Sequence, residues 1–255
     1  MSGPSVAELR SVCQPQRMLE RHSGEHWAGR LYMRRVSVYA TWLLVRAGLT
    51  PNQVTWAMIV CGVAAGAVLA VGGLAAAAAA AVLVQVYLLL DCSDGEVARW
   101  TGRTSIVGVY LDRVGHYFAE AALLVGLGVR AQGSLAAGGW VLIGLAAALG
   151  AVLIKVETDL VDVARARSGL PAAEDAASEL PGRRLGSLRQ VAAATRLHRV
   201  VQAVELSMLA LLAAAYDAVA GGLTATRVLT VAAACVAGVQ LVLHLVSILA
   251  SRRLR

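Results

Sequence analysis

Apolar and polar positions along the chain form long apolar runs broken by short polar ones, and no ten-residue segment alternates with period two. Six runs approach or exceed the roughly 20 residues that carry a helix across a bilayer. They predict spans at about residues 53–71, 74–90, 106–129, 139–154, 200–220 and 228–250. The first two are separated by little more than Gly72-Gly73, which predicts a tight helical hairpin. Residues 32–46 mix Arg with Tyr, Val, Trp and Leu, the pattern of a helix lying in the membrane interface. That helix ends at Gly48. Thr50-Pro51-Asn52-Gln53 then reads as a helix start, with Thr50 as N-cap, Pro51 at the first helical position and Gln53 closing a capping box. Residues 168–186 hold Gly169, Pro171, Pro181 and Gly182 with acidic residues, and predict a soluble loop.

Composition fixes the class. Hydrophobic residues make up 58% of the 255 positions and charged ones only 15%, against about 25% in a soluble domain. Disorder is excluded by the hydrophobicity, and a membrane barrel by the missing strand alternation. The expected fold is an all-α polytopic membrane protein with six transmembrane helices and an N-terminal interfacial helix. Its expected organisation is a cytoplasmic N-terminal region over residues 1–52, a six-helix domain over 53–250 with a cytoplasmic loop at 155–199, and a basic tail at 251–255.

The net charge of +7 is distributed unevenly. Seven basic residues precede the first span, two fall between spans two and three (Arg99, Arg103), eight between spans four and five, and three at the C-terminus. Only Arg130 and Arg227 fall on the opposite side, with Arg113 inside span three. The positive-inside rule then places both termini and the large loop in the cytoplasm. Such charge reports topology and contact with anionic lipid, so no nucleic-acid partner is expected. Lys155 is the only lysine among many arginines, which with the Ala, Gly and Val content suggests a GC-rich bacterial source and an inner (plasma) membrane location. The polar first 30 residues predict no cleaved signal peptide, and the four cysteines show no metal-site spacing or disulfide framework.

Ionisable residues inside membrane helices are costly and concentrate at functional sites. Here they gather in residues 90–116, LDCSDGEVARWTGRTSIVGVYLDRVGH. Asp91 and Asp94 share a helix face at the cytoplasmic end of span two, followed by Gly95, Ala98 and Arg99. Gly108, Asp112 and His116 recur every fourth residue on span three. Two antiparallel helices thus offer three carboxylates and an imidazole to each other. Either arginines neutralise the acids in a plain helix contact, or a cation sits among them. Oxygen-rich sites suit Mg²⁺ or Mn²⁺, and a two-metal site suits phosphoryl-group transfer.

The segment resembles the signature of the CDP-alcohol phosphotransferases, D-x2-D-G-x2-A-R-x8-G-x3-D-x3-D. It stands here as Asp91, Asp94, Gly95, Ala98, Arg99, Gly108, Asp112 and then His116, seven matches in eight with unbroken spacing. Residues 49–55 also look like the family's lead into span one. The resemblance implies transfer of a substituted phosphate, phosphatidyl in the leading reading, from a CDP-linked donor to an alcohol or alcohol-phosphate acceptor. CMP is released, as in phospholipid biosynthesis. It implies Asp91, Asp94 and Asp112 as metal ligands, and Gly95, Ala98, Arg99 and Gly108 around the nucleotide. It also implies a homodimer. Where the family carries a fourth Asp, this chain has His116, which serves as general base or as metal ligand. Neutral imidazole lacks negative charge, so the tightness of a second metal is open. For the acceptor, Lys155, Arg165 and Arg199 are expected contacts, within a group that also holds Glu157, Asp159, Asp162, Arg167, Arg196 and His198. Glu205, Asp217 and His244 are expected to pair with neighbouring helices. A soluble CDP-polyol donor and a non-catalytic relative are the alternatives; a transporter is disfavoured by the absence of repeats and of a midplane site.

Overall fold

The computed structural model describes residues 4–15, 27–171, 201–251 and 254. Among these the chain is helical: α1 (Val6–Cys13), α2 (Arg34–Arg46), α3 (Pro51–Ala70), α4 (Gly73–Thr101), α5 (Ile106–Gln132), α6 (Gly139–Arg167), α7 (Ala203–Ala220) and α8 (Thr224–Ala250). A π-helical turn, Gly29–Met33, leads into α2. Five of these, α3, α4, α6, α7 and α8, are long and apolar enough to cross a membrane. The helix expected as span three, α5, has the length but carries Asp112, Arg113, His116, Glu120 and Arg130, which lower its hydropathy.

The turn chemistry explains the boundaries. Gln53 Oε1 accepts from the Thr50 amide at 2.9 Å and Thr50 Oγ1 accepts from the Gln53 amide, the predicted capping box. Gly72 and Gly73 both take positive φ in the α3–α4 hairpin, as expected. α4 runs eleven residues past its predicted apolar end at Leu90, to Thr101. Nothing between Leu90 and Thr101 breaks a helix, because one glycine costs only about 1 kcal/mol there. The stretch 168–186 is described only to Pro171, and the start of the fifth predicted span, Val200, lies outside the described residues, as do Arg196, His198 and Arg199.

The chain divides into two compact units, residues 1–65 with 81–119, and 66–80 with 120–255. In the first, α1 is held by a capping box between Ser5 and Glu8. Its Leu9 and Cys13 pack with Val38 of α2, flanked by Trp42, Val45 and Trp100. The opposite face of α2 exposes Val36, Tyr39 and Leu43, as an interfacial helix would. Arg46 stacks over Trp42 at 4.5 Å. Small residues let α3 and α5 close up: a Cβ on Gly62 would lie 2.5 Å from Ala119 Cβ, and one on Gly115 would lie 2.4 Å from Met58 Cε.

In the second unit the approach is backbone to backbone. A Cβ on Gly126 would fall 2.1 Å from the Gly66 carbonyl oxygen, and one on Gly144 would fall 2.8 Å from Gly128 Cα. Gly126→Val is therefore expected to cost more than the roughly 1–3 kcal/mol of ordinary overpacking. A loss of folded, monodisperse protein in detergent measures it. Charged residues here are tied to helix partners. Asp217 accepts from the Ala225 and Thr226 amides and from Thr226 Oγ1, capping α8. Arg130 donates to the Gly73 carbonyl at 2.9 Å and Arg227 to the Ala131 carbonyl at 3.1 Å. His244 meets Thr158 Oγ1 at 3.0 Å. Asp217 and His244 thus pair with neighbouring segments, as anticipated.

Candidate active site

The segment 90–116 builds its site within the first unit. Asp91, Asp94, Gly95, Ala98 and Arg99 lie on the last three turns of α4, and Gly108, Asp112 and His116 on the first three turns of α5. The Gly102 turn, at φ 64°, reverses the chain between them. All eight line one cavity of about 630 Å³, together with Asn52 and Thr55 of α3, Arg34 of α2 and Arg103. The charged residues of the motif therefore converge, as their spacing predicts.

Three ligand-type groups come closest. His116 Nε2 lies 3.2 Å from Asp91 Oδ1 and 3.6 Å from Asp112 Oδ1. One donor atom from each of the three falls within 4.8 Å of the others. Two carboxylates and an imidazole at this separation form a donor set for a divalent cation. Asp94 lines the same cavity but is held differently. Its Oδ2 accepts from Thr55 Oγ1 at 2.7 Å and its Oδ1 from the Gly95 amide at 2.5 Å. Each oxygen keeps a lone pair, so Asp94 offers the cavity an oriented carboxylate.

Two glycines have structural reasons for their place. The Arg99 guanidinium folds back over Gly95, where a Cβ would lie 3.1 Å from one terminal nitrogen. Gly95 thus makes room for an arginine of its own helix, which the motif alone does not reveal. At Gly108 a Cβ would meet Asn52 Oδ1 and Ser105 Oγ at 3.2 Å, so its absence lets the first turn of α5 pass the Asn52 side chain.

Sequence reasoning missed four residues. Thr55 orients Asp94. Glu96 and Arg34 are taken up below. Tyr87, one helical turn before Asp91 and 3% exposed, bonds through its hydroxyl to His116 Nδ1 and meets the ring edge-on, with centroids 5.9 Å apart. Its spacing from Asp91 was the available signal. A hydroxyl both donates and accepts, so Tyr87 holds Nδ1 in either tautomer and leaves Nε2 facing the carboxylates. Removing one hydrogen bond of about 1 kcal/mol predicts roughly fivefold slower turnover for Tyr87→Phe. Steady-state kinetics beside an unchanged melting midpoint would check it.

Two of the three expected acceptor contacts have protein partners in the structure. Lys155 Nζ donates to Glu120 Oε1 at 2.9 Å, and Arg165 Nε to the Pro171 carbonyl at 2.7 Å. Arg199 lies outside the described residues.

A family model described as CDP-alcohol phosphatidyltransferase matches residues 48–252. The chain belongs to the CDP-alcohol phosphatidyltransferase family. The matched region takes in α3 to α8 and every motif residue, and leaves α1 and α2 outside it. Among curated relatives, a protein of Thermococcus kodakarensis named "Bifunctional IPC transferase and DIPP synthase" is 31% identical over 177 residues. That alignment covers 68% of this chain and 39% of the relative, so the chain spans well under half of that protein's length. Membership makes this a transferase-type membrane protein, in agreement with the motif and the apolar helices.

Proposed function

We propose that the chain is an integral-membrane transferase that moves a substituted phosphate, phosphatidyl in the leading reading, from a CDP-linked donor to an alcohol acceptor and releases CMP. One observation carries this reading: the family motif folds so that Asp91, Asp112 and His116 converge in a cavity large enough for a nucleotide. The donor set fits a divalent cation such as Mg²⁺ or Mn²⁺, with Asp91, Asp112, His116 and the neighbouring Asp94 as the residues to hold it. Bound there, it would neutralise the carboxylates and the charge of a diphosphate.

The chain's own groups supply the rest. Thr55 and the Gly95 amide fix the Asp94 carboxylate in place. Tyr87 fixes the imidazole with Nε2 toward the cavity. With Nδ1–H donating to the Tyr87 hydroxyl oxygen, Nε2 keeps its lone pair and takes the proton of the acceptor hydroxyl as that oxygen attacks the donor phosphorus and CMP leaves. A second reading gives Nε2 to the cation, favoured by its placement between two carboxylate oxygens.

The same proposal includes α5 as a sixth span, its polar row turned away from lipid, both termini cytoplasmic, a bacterial inner membrane, and a homodimer. The basic-residue asymmetry supports the orientation and the family resemblance supports the dimer. Incubating purified protein with Mg²⁺ or Mn²⁺, a panel of CDP-alcohols and a panel of acceptors, and measuring CMP, tests the activity. Acceptor-dependent CMP release is expected. Its absence across CDP-diacylglycerol and soluble CDP-polyols would favour a non-catalytic relative.

A further inference from the structure

The family match begins at residue 48, yet the cavity is lined on one side by Arg34 of α2. We infer that Arg34 joins Arg99 in an anion-binding pair for a phosphate group of the substrate, framed by buried Glu96 and the N-terminal helix α1. The inference rests on the transferase reading and adds Arg34, a residue outside the family motif.

The frame is visible bond by bond. Glu96 stands between Asp94 and Arg99 on α4 and is fully buried. Its Oε1 accepts from Gln14 Nε2 at 2.8 Å and from Ser37 Oγ at 2.7 Å, and its Oε2 from Thr41 Oγ1 at 2.7 Å. Arg34 lies 3.8 Å from the same carboxylate. Gln14 Nε2 also donates to the Arg34 carbonyl at 2.7 Å, fixing the backbone that carries the arginine. Arg99 is fixed from the other side: its Nε donates to the Cys13 carbonyl at 2.8 Å, while Cys13 Sγ donates to the Glu96 carbonyl at 3.3 Å. Burial pushes the Cys13 thiol up to about 11, with the Glu96 charge adding to it, so the thiol stays protonated and can donate.

Charge then indicates the ligand. Arg34 and Arg99 repel each other, and Glu96 interacts with both. Both guanidiniums line the same cavity as Asp91, Asp94 and Asp112, and their sign suits an anion there. With Nε occupied by Cys13, the terminal nitrogens of Arg99 lie over Gly95, beside the cavity. Planar guanidiniums match phosphate oxygens in pairs, which makes a phosphate the fitting anion. It comes either from the donor's diphosphate or from a phosphorylated acceptor.

The test uses the full-length protein in detergent with chelator present, so that the carboxylates contribute only repulsion. Inorganic phosphate and CDP are titrated separately by the shift in thermal midpoint. Arg34→Gln is expected to weaken phosphate binding at least tenfold, with Arg34→Lys recovering part of it. If the group is the donor's, CDP binding weakens in parallel and the variant raises KM for the CDP-alcohol more than it lowers kcat. If it is the acceptor's, CDP binding holds and KM rises for a phosphorylated acceptor only. Glu96→Gln removes the charge that frames Arg34, and its ligand-free midpoint reports what the frame contributes to folding; the Arg34 variants carry the binding result. Wild-type affinity for both phosphate and CDP in Arg34→Gln overturns the inference. Because these are binding measurements, they read out even if no CDP-alcohol proves to be a substrate.

Discussion

Asp112→Asn and Asp91→Asn are each expected to abolish turnover, by at least about 10³-fold, while the helices still assemble. The amide keeps the size of the carboxylate but removes the charge that attracts a cation. Transition-state charge stabilisation by a bound metal is worth several kcal/mol, and each 1.4 kcal/mol is a factor of ten. Both residues line the cavity and are only partly buried, so neither anchors the fold. Excess chelator should silence the wild-type protein, and added Mg²⁺ or Mn²⁺ should restore it. Persistence of CMP release with chelator in excess would end the metal reading. Asp94→Asn should also lose activity, but with a drop in stability, because the carboxylate bonds buried Thr55.

His116→Ala should slow turnover about 10²-fold or more, the usual scale for losing a general base. Mn²⁺ affinity then separates the two readings of Nε2. If the imidazole is the base, affinity for the cation stays at the wild-type value. If it is a ligand, affinity falls and any nitrogen coupling in the Mn²⁺ spectrum disappears with it. His116→Asp restores the resembled pattern and is expected to retain activity with a stronger preference for Mg²⁺. Wild-type turnover in His116→Ala would reduce the imidazole to a packing residue.

The site was legible because its residues are carried by two helices joined by a four-residue turn. Asp91 and Asp94 on one, and Asp112 and His116 on the other, meet through local periodicity and a single reversal, which the sequence specifies directly. Residues that arrive from distant helices were not legible in that way. Thr55 and Asn52 sit in a recognisable helix start, but the capping pattern says nothing about what the next turn touches. Glu96 falls between two motif residues, and its partners Gln14, Ser37 and Thr41 lie more than fifty residues away. The helix α1 escaped notice because at eight residues it carries too little apolar surface for a span, although Ser5 and Glu8 marked its start. Arg34 is one of the seven basic residues before the first span, and in the sequence its charge reads only as topology. Lys155 and Arg165 show the same limit: their basic character is plain in the sequence, but their contacts with Glu120 and the Pro171 carbonyl are not.

The length of α4 has a consequence for the bilayer itself. Twenty-nine residues make a rod about 43 Å long, against a hydrocarbon layer of about 30 Å. Its apolar part begins at the Gly72-Gly73 hairpin and ends at Leu90, so with that part in hydrocarbon the remaining turns, which carry the carboxylates, would reach the lipid headgroups. In the proposed transferase, reaction depth would thereby be set by a ruler built into the helix. A thicker membrane would draw Asp91 toward hydrocarbon, and a thinner one would lift it toward water. For the proposed transferase, turnover is expected to vary with the acyl-chain length of the host lipid, which reconstitution in bilayers of different thickness would measure.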